Sequence, residues 1–167
     1  MYSFSRNQRV GAEGEKWVIE QLQARGYDAK FDPDFYNEGY DIIVNGLPTE
    51  IKFAHQTRRK RVWTNRIGVV LENWYDRWQW QIHPTSHRLT DWLLILVADV
   101  NGDRYPYIVP GGIVLDRTHI QLTSHPNKYR GWLAAWLNRW EIIDYLANGV
   151  YQNGGPLFEE WLQREAA

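Results

Sequence analysis

The sequence predicts a mixed α/β domain, and three features carry the prediction. Residues 11–25 have the apolar spacing of a helix, an Asn-Gly pair joins two apolar runs at 40–54, and WLLILVADV (92–100) is a nearly continuous apolar stretch. At 167 residues the chain fits one domain, 1–167, large enough to bury a real core.

Each element follows from local chemistry. Val18, Ile19 and Leu22 form one stripe of a helix from Gly11 to Arg25, and Gly26 supplies its stop. Tyr27 to Phe31 reads as a short strand, followed by the loop DPDFYNEG, dense in turn formers. Asn45-Gly46 then marks the tip of a β-hairpin. Residues 55–66, HQTRRKRVWTNR, are a polar and basic stretch to which no helix or strand is assigned. A half-buried strand is expected around Trp78 to His83, WLLILVADV is the clearest central strand, and RYPYIVP and HIQLT read as short ones. YRGWLAAWLNRWEIIDYLANG reads as a helix whose Trp132, Trp136 and Trp140, spaced i, i+4, form a core stripe. Gly154-Gly155-Pro156 breaks the chain before a final short helix.

Composition narrows the function classes. The net charge is −1, so the chain as a whole is not strongly basic. The absence of cysteine excludes disulfides and thiolate metal sites and fits a reducing compartment. MYSFSRNQRVGAEGEKW lacks the apolar core of a secretory signal, and WLLILVA is too short to span a bilayer. The expectation is a cytoplasmic protein with no membrane partner. Ten Trp and ten Tyr fill a core, and they also suit interfaces and base stacking.

The hairpin holds the chemistry. A two-residue turn at Asn45-Gly46 pairs Val44 with Leu47, Ile43 with Pro48, Ile42 with Thr49 and Asp41 with Glu50. Paired residues share a face, and Lys52 joins them because strand side chains alternate. Opposed side chains have Cβ atoms about 4.5–5.5 Å apart, where like charges destabilise the pair. A divalent cation would offset that repulsion, since Mg²⁺ is held by one or two carboxylates plus water and phosphate. An exposed face with an ordinary Lys52–carboxylate ion pair would also place these residues together. Glu15 adds to the metal reading because it continues the apolar stripe of the first helix, and a buried carboxylate needs a partner. A place in the first helical turn would also favour Glu15 there. Glu13 and Glu20 sit off the stripe.

These residues carry a resemblance. GEKWVIEQLQARGYDAK, GYDIIVNG and TEIKFA resemble the PD-(D/E)XK nuclease superfamily, well over 11–54 and loosely over 92–100. The resemblance implies a restriction-endonuclease-like core (about 11–100), a central mixed β-sheet flanked by helices, with a strand and helix elaboration at about 101–167. It casts Glu15 as the helix carboxylate, Asp41 as the family's Asp, and Glu50-Ile51-Lys52 as the E-X-K. The literal Pro-Asp falls at Pro33-Asp34, in a loop with no strand to hold it, so Asp41 is preferred and Asp34 is the alternative. The implied cofactor is Mg²⁺, with Mn²⁺ as a substitute, bound by Asp41, Glu50, Glu15 and the Ile51 carbonyl. Lys52 would position or activate the attacking water, and the products would carry 5′-phosphate and 3′-hydroxyl ends.

Between Ile51 and Leu71 every charged residue is basic. Arg58, Arg59, Lys60, Arg61 and Arg66, with Trp63 among them, therefore read as a DNA-contacting segment beside a phosphodiesterase site. His83 and His87 are separated by Pro84, and His119 and His125 lack companions at zinc spacing, so the histidines are given no metal role. The expected function is a metal-dependent DNA endonuclease of restriction, homing or junction-resolving type, acting as a homodimer or higher homo-oligomer. The alternative is a non-catalytic nucleic-acid-binding module on the same fold.

Overall fold

The computed structural model describes residues 6–31, 39–82, 92–114 and 117–148, with the backbone alone for 6–10. Asp34 and its loop, His83, His87 and the final helix expected after Gly155 lie outside the described residues. In chain order the elements are α1 (Arg6–Ala24), β1 (Ala29–Lys30), β2 (Ile42–Val44), β3 (Leu47–His55), β4 (Thr57–Thr64), β5 (Val70–Gln81), β6 (Leu93–Val100), β7 (Asp103–Pro110), β8 (His119–Leu122) and α2 (Ile142–Ala147). One-turn 3₁₀ helices at Gly111–Val114 and Trp132–Trp136 complete the set.

The architecture is the expected mixed α/β fold. Its central sheet has the order β1-β2-β3-β6-β7, parallel between β3 and β6 and antiparallel elsewhere. A second sheet, β4-β5-β8, is entirely antiparallel. β6 lies between β3 and β7, and Leu93 to Ala98 are all buried. A strand covered on both faces needs no polar alternation, which is why its sequence is apolar throughout.

α1 ends where Gly26 takes a left-handed conformation (φ 85°). Its N–H donates to the Gln23 carbonyl, and the Tyr27 N–H to that of Leu22, closing the helix as a Schellman motif. Asn45 (φ 47°) and Gly46 (φ 82°) form the tight turn between β2 and β3. Register then separates the two faces of the central sheet. Phe53, Val97 and Pro106 align on one face; Lys52, Leu96 and Tyr107 align on the other. α1 packs on the Phe53 face through Gly14. The second sheet covers the other face, where Trp80 meets Tyr107 edge to face with ring centroids 6.3 Å apart. The buried indoles of Trp78 and Trp80 donate to the Asp99 and Val97 carbonyls of β6.

Three expectations change. The basic stretch is a regular strand, β4, because it pairs with β5 along its length from Thr57↔Arg77 to Thr64↔Val70. β5 accordingly starts at Val70, well before the expected Trp78. The C-terminal segment is not one helix. Asn138 adopts φ 57°, its N–H donates to the Pro106 carbonyl, and Leu137 bridges to Tyr107, so the backbone is drawn to the edge of β7 between the 3₁₀ turn and α2. Trp136 and Trp140 are still buried. Trp132 is half-buried, with the Arg117 guanidinium 4.1 Å from its ring centroid.

Candidate active site

The site forms where two strands part. The ladder of β2 and β3 has the expected register, Val44↔Leu47, Ile43↔Pro48 and Ile42↔Thr49, and ends there. The expected Asp41–Glu50 pair does not form in the ladder. The Asp41 N–H instead donates to the carbonyl of Thr49 (2.9 Å), the residue already opposite Ile42, giving the two-against-one count of a β-bulge. β3 runs on to His55, paired with β6 on its other side. The Ile51 N–H would be orphaned at this fork, and Asp41 Oδ2 accepts it at 2.6 Å. Asp41 is thereby held at the open edge of β3, toward which the Ile51 carbonyl also points.

α1 delivers the second carboxylate. A Cβ on Gly14 would lie 2.6 Å from Cδ2 of Phe53, so only glycine lets the helix approach β3 this closely. The next residue, Glu15, is half-buried, and its carboxyl is pushed above the usual range by burial and then by the charge of Asp41, while Lys52 pulls it down. Residues from α1, the β2 fork and β3 therefore act on one another electrostatically. Lys52 Nζ also sits 2.9 Å from Glu50 Oε1, and that glutamate side chain is only 6 % exposed.

Glu15, Asp41, Ile51 and Lys52 line one cleft of about 630 Å³, and Glu50, paired with Lys52, does not line it. Among the described residues no three Asp, Glu, His or Cys side chains are gathered as a metal-binding group. Two carboxylates facing one cleft still suit Mg²⁺, which keeps several waters and takes further oxygens from substrate phosphate.

The cleft includes groups that the sequence reading missed. His55, Thr57, Arg77 and Gln79 all line it. His55 Nδ1 lies 3.1 Å from Asp99 Oδ2, and its ring meets Phe53 edge to face. Arg77 Nε is buried and has no hydrogen-bond partner among the described residues. The β4–β5 register reveals Arg77, because it sets that residue opposite Thr57 at the base of the hairpin. That register depends on the pairing of β4 with β5, which local sequence pattern does not reveal. Of the basic residues expected to meet DNA, Arg58, Arg59, Lys60 and Arg61 lie on β4 with Trp63, and Arg66 lies in the turn beyond; all are exposed.

No protein-family model matches the sequence. No curated protein matches it significantly. Among solved structures the chain is similar to a bacterial homing endonuclease, I-Ssp6803I, at 15% identity and a TM-score of 0.54, over 87% of this chain and 97% of that one. At this identity the likeness is one of fold, and the chain shares the fold of a nuclease over most of its length.

Proposed function

We propose that the protein is a metal-dependent DNA endonuclease of the PD-(D/E)XK type. The observation that carries this reading is the convergence of Glu15, Asp41 and Lys52 on one cleft from three separate elements. The fold shared with a homing endonuclease supports it and favours the homing type over restriction or junction resolution. Asp41 and Glu15 would hold Mg²⁺ or Mn²⁺ with the Ile51 carbonyl, and Glu50 would complete the set once released from Lys52. The cation supplies Lewis-acid polarisation of the scissile phosphate. Lys52 would orient the attacking water and donate to the charge that develops on the phosphoryl oxygens. Arg77 would take a non-bridging phosphate oxygen at the cleft wall.

We extend the proposal to a cytoplasmic homodimer or higher oligomer. Apolar residues at the far end of the β4–β5 hairpin support self-association: Ile67 is 84%, Val70 67% and Val62 56% exposed. Among the described residues no helix is long and apolar enough to cross a membrane.

Supercoiled plasmid tests the activity. Nicking in Mg²⁺ or Mn²⁺, its absence in EDTA, its loss in Glu50→Ala, and nicks resealed by DNA ligase are the expected outcomes. The last of these reports 5′-phosphate and 3′-hydroxyl ends. The closed Glu50–Lys52 pair favours one alternative, a non-catalytic DNA-binding module. Duplex binding without nicking of plasmid or branched DNA in either metal would establish that alternative.

A further inference from the structure

The four consecutive basic residues of β4 do not share one face. Side chains alternate along a strand, and directly paired residues lie on the same side of the ribbon. Arg58 pairs with Asp76 across the hairpin, with Nη1 3.7 Å from Oδ1. Lys60 forms an ion pair with Glu72 and lies 5.6 Å from the ring centroid of its cross-strand partner Trp74. On this face, two positive charges are matched by two negative ones. Followed toward the base of β5, the same face continues into Trp78 and Trp80 and turns into the core.

The other face has a different charge. Arg59 stands opposite Tyr75, and Arg61 opposite Asn73. The Arg61 guanidinium lies 5.8 Å from the ring centroid of Trp63, two residues on. No position on this face, from Thr57 to Trp63 or from Leu71 to Arg77, carries a carboxylate. Arg59, Arg61 and Arg77 therefore give it three positive charges. Both residues at its base, Thr57 and Arg77, line the candidate active-site cleft. The basic face and the cleft form one continuous surface.

We infer that duplex DNA lies along the Arg59–Arg61–Arg77 face of the hairpin and enters the cleft at Arg77, while Arg58 and Lys60 make no DNA contact. The inference rests on the endonuclease reading for its ligand and assigns the binding surface within it. Charge complementarity selects the face: phosphates approaching the opposite side would meet Glu72 and Asp76. A two-stranded ribbon also fits the major groove, where Arg and Asn pair with guanine and adenine edges.

The test compares two double variants of the full chain, Arg59→Ala/Arg61→Ala and Arg58→Ala/Lys60→Ala. Binding to a short fluorescent duplex of arbitrary sequence is measured in EDTA across a salt series, with thermal melting as the check on folding. Both pairs remove two positive charges from exposed positions, so net charge cannot separate them. The expected result is a salt slope reduced by about 2 in the first variant, roughly one per lost phosphate contact, and an unchanged slope in the second. Equal losses in both, a larger loss in the second, or no duplex binding by the parent protein would overturn the assignment. Selective loss in the first variant from a protein that never cleaves would sustain this face and sink the endonuclease reading. Cleavage that depends on Glu50, with equal binding losses in both variants, would do the reverse.

Discussion

Burial and the charge of Asp41 both favour the neutral form of Glu15, and Lys52 opposes them. Its folded-state pKa is raised above the ordinary value of 4.5. The folded protein therefore holds this proton to higher pH than the unfolded chain does. The group costs no stability below the ordinary value and destabilises the fold as pH rises through the raised one. Glu15→Gln should raise the melting temperature at pH 7 in EDTA, and the gain should vanish below pH 4.5. Mg²⁺ should reverse the ranking, since a ligand of the folded state stabilises wild type more than a variant with fewer donors. Thermal melts at both pH values, with and without Mg²⁺, check both signs. The glycine beside it gives a second test. Gly14→Ala forces a methyl into Phe53 and should cost about 1–3 kcal/mol while lowering activity, because Glu15 moves with the helix. Gly11→Ala meets nothing within 4 Å and should stabilise α1 by up to about 1 kcal/mol.

Among the elements, α1 is anchored at both ends of its packed face. Gly14 sets its approach to β3, and beyond its C-terminus the Tyr27 hydroxyl donates to the Trp140 carbonyl and to Asp144 Oδ2. Burial, then the Asp144 carboxylate, pushes that hydroxyl up to about 12, so it remains a donor throughout the physiological range. Tyr27→Phe should cost about 1 kcal/mol, read from urea unfolding. The sequence revealed those elements whose signals are local. The α1 stripe, the Gly26 stop, the Asn45-Gly46 turn and the apolar β6 each follow from a few neighbouring residues. β4 stayed hidden because all its side chains are exposed, and a ribbon wet on both faces has no apolar-polar alternation to read. The C-terminal segment misled for the opposite reason. Its Trp spacing is helical, yet the edge of β7 captures Leu137 and Asn138. Asp41, Glu15 and Lys52 could be read from pattern and resemblance. Arg77 and His55 depend on long-range register.

At the scale of the whole molecule, net charge says little about DNA binding. Acidic and basic residues nearly cancel, at 20 and 19, so the proposed DNA affinity rests on their arrangement. The hairpin divides its charges between two faces, and the cleft lies at its base. The same hairpin exposes its apolar residues mostly at the far end. Light scattering should report a dimer or larger species, and Ile67→Asp/Val70→Asp should shift it toward monomer. The central claim is that Lys52 and the carboxylates form a catalytic site within a nuclease fold. The most direct test is the single-turnover rate of plasmid nicking in Mg²⁺ by Lys52→Ala beside wild type, with duplex binding measured on the same preparations. The expected result is metal-dependent nicking by wild type and a loss of roughly 10²–10⁴-fold in the variant with binding retained. Equal nicking rates in the two proteins would contradict the claim.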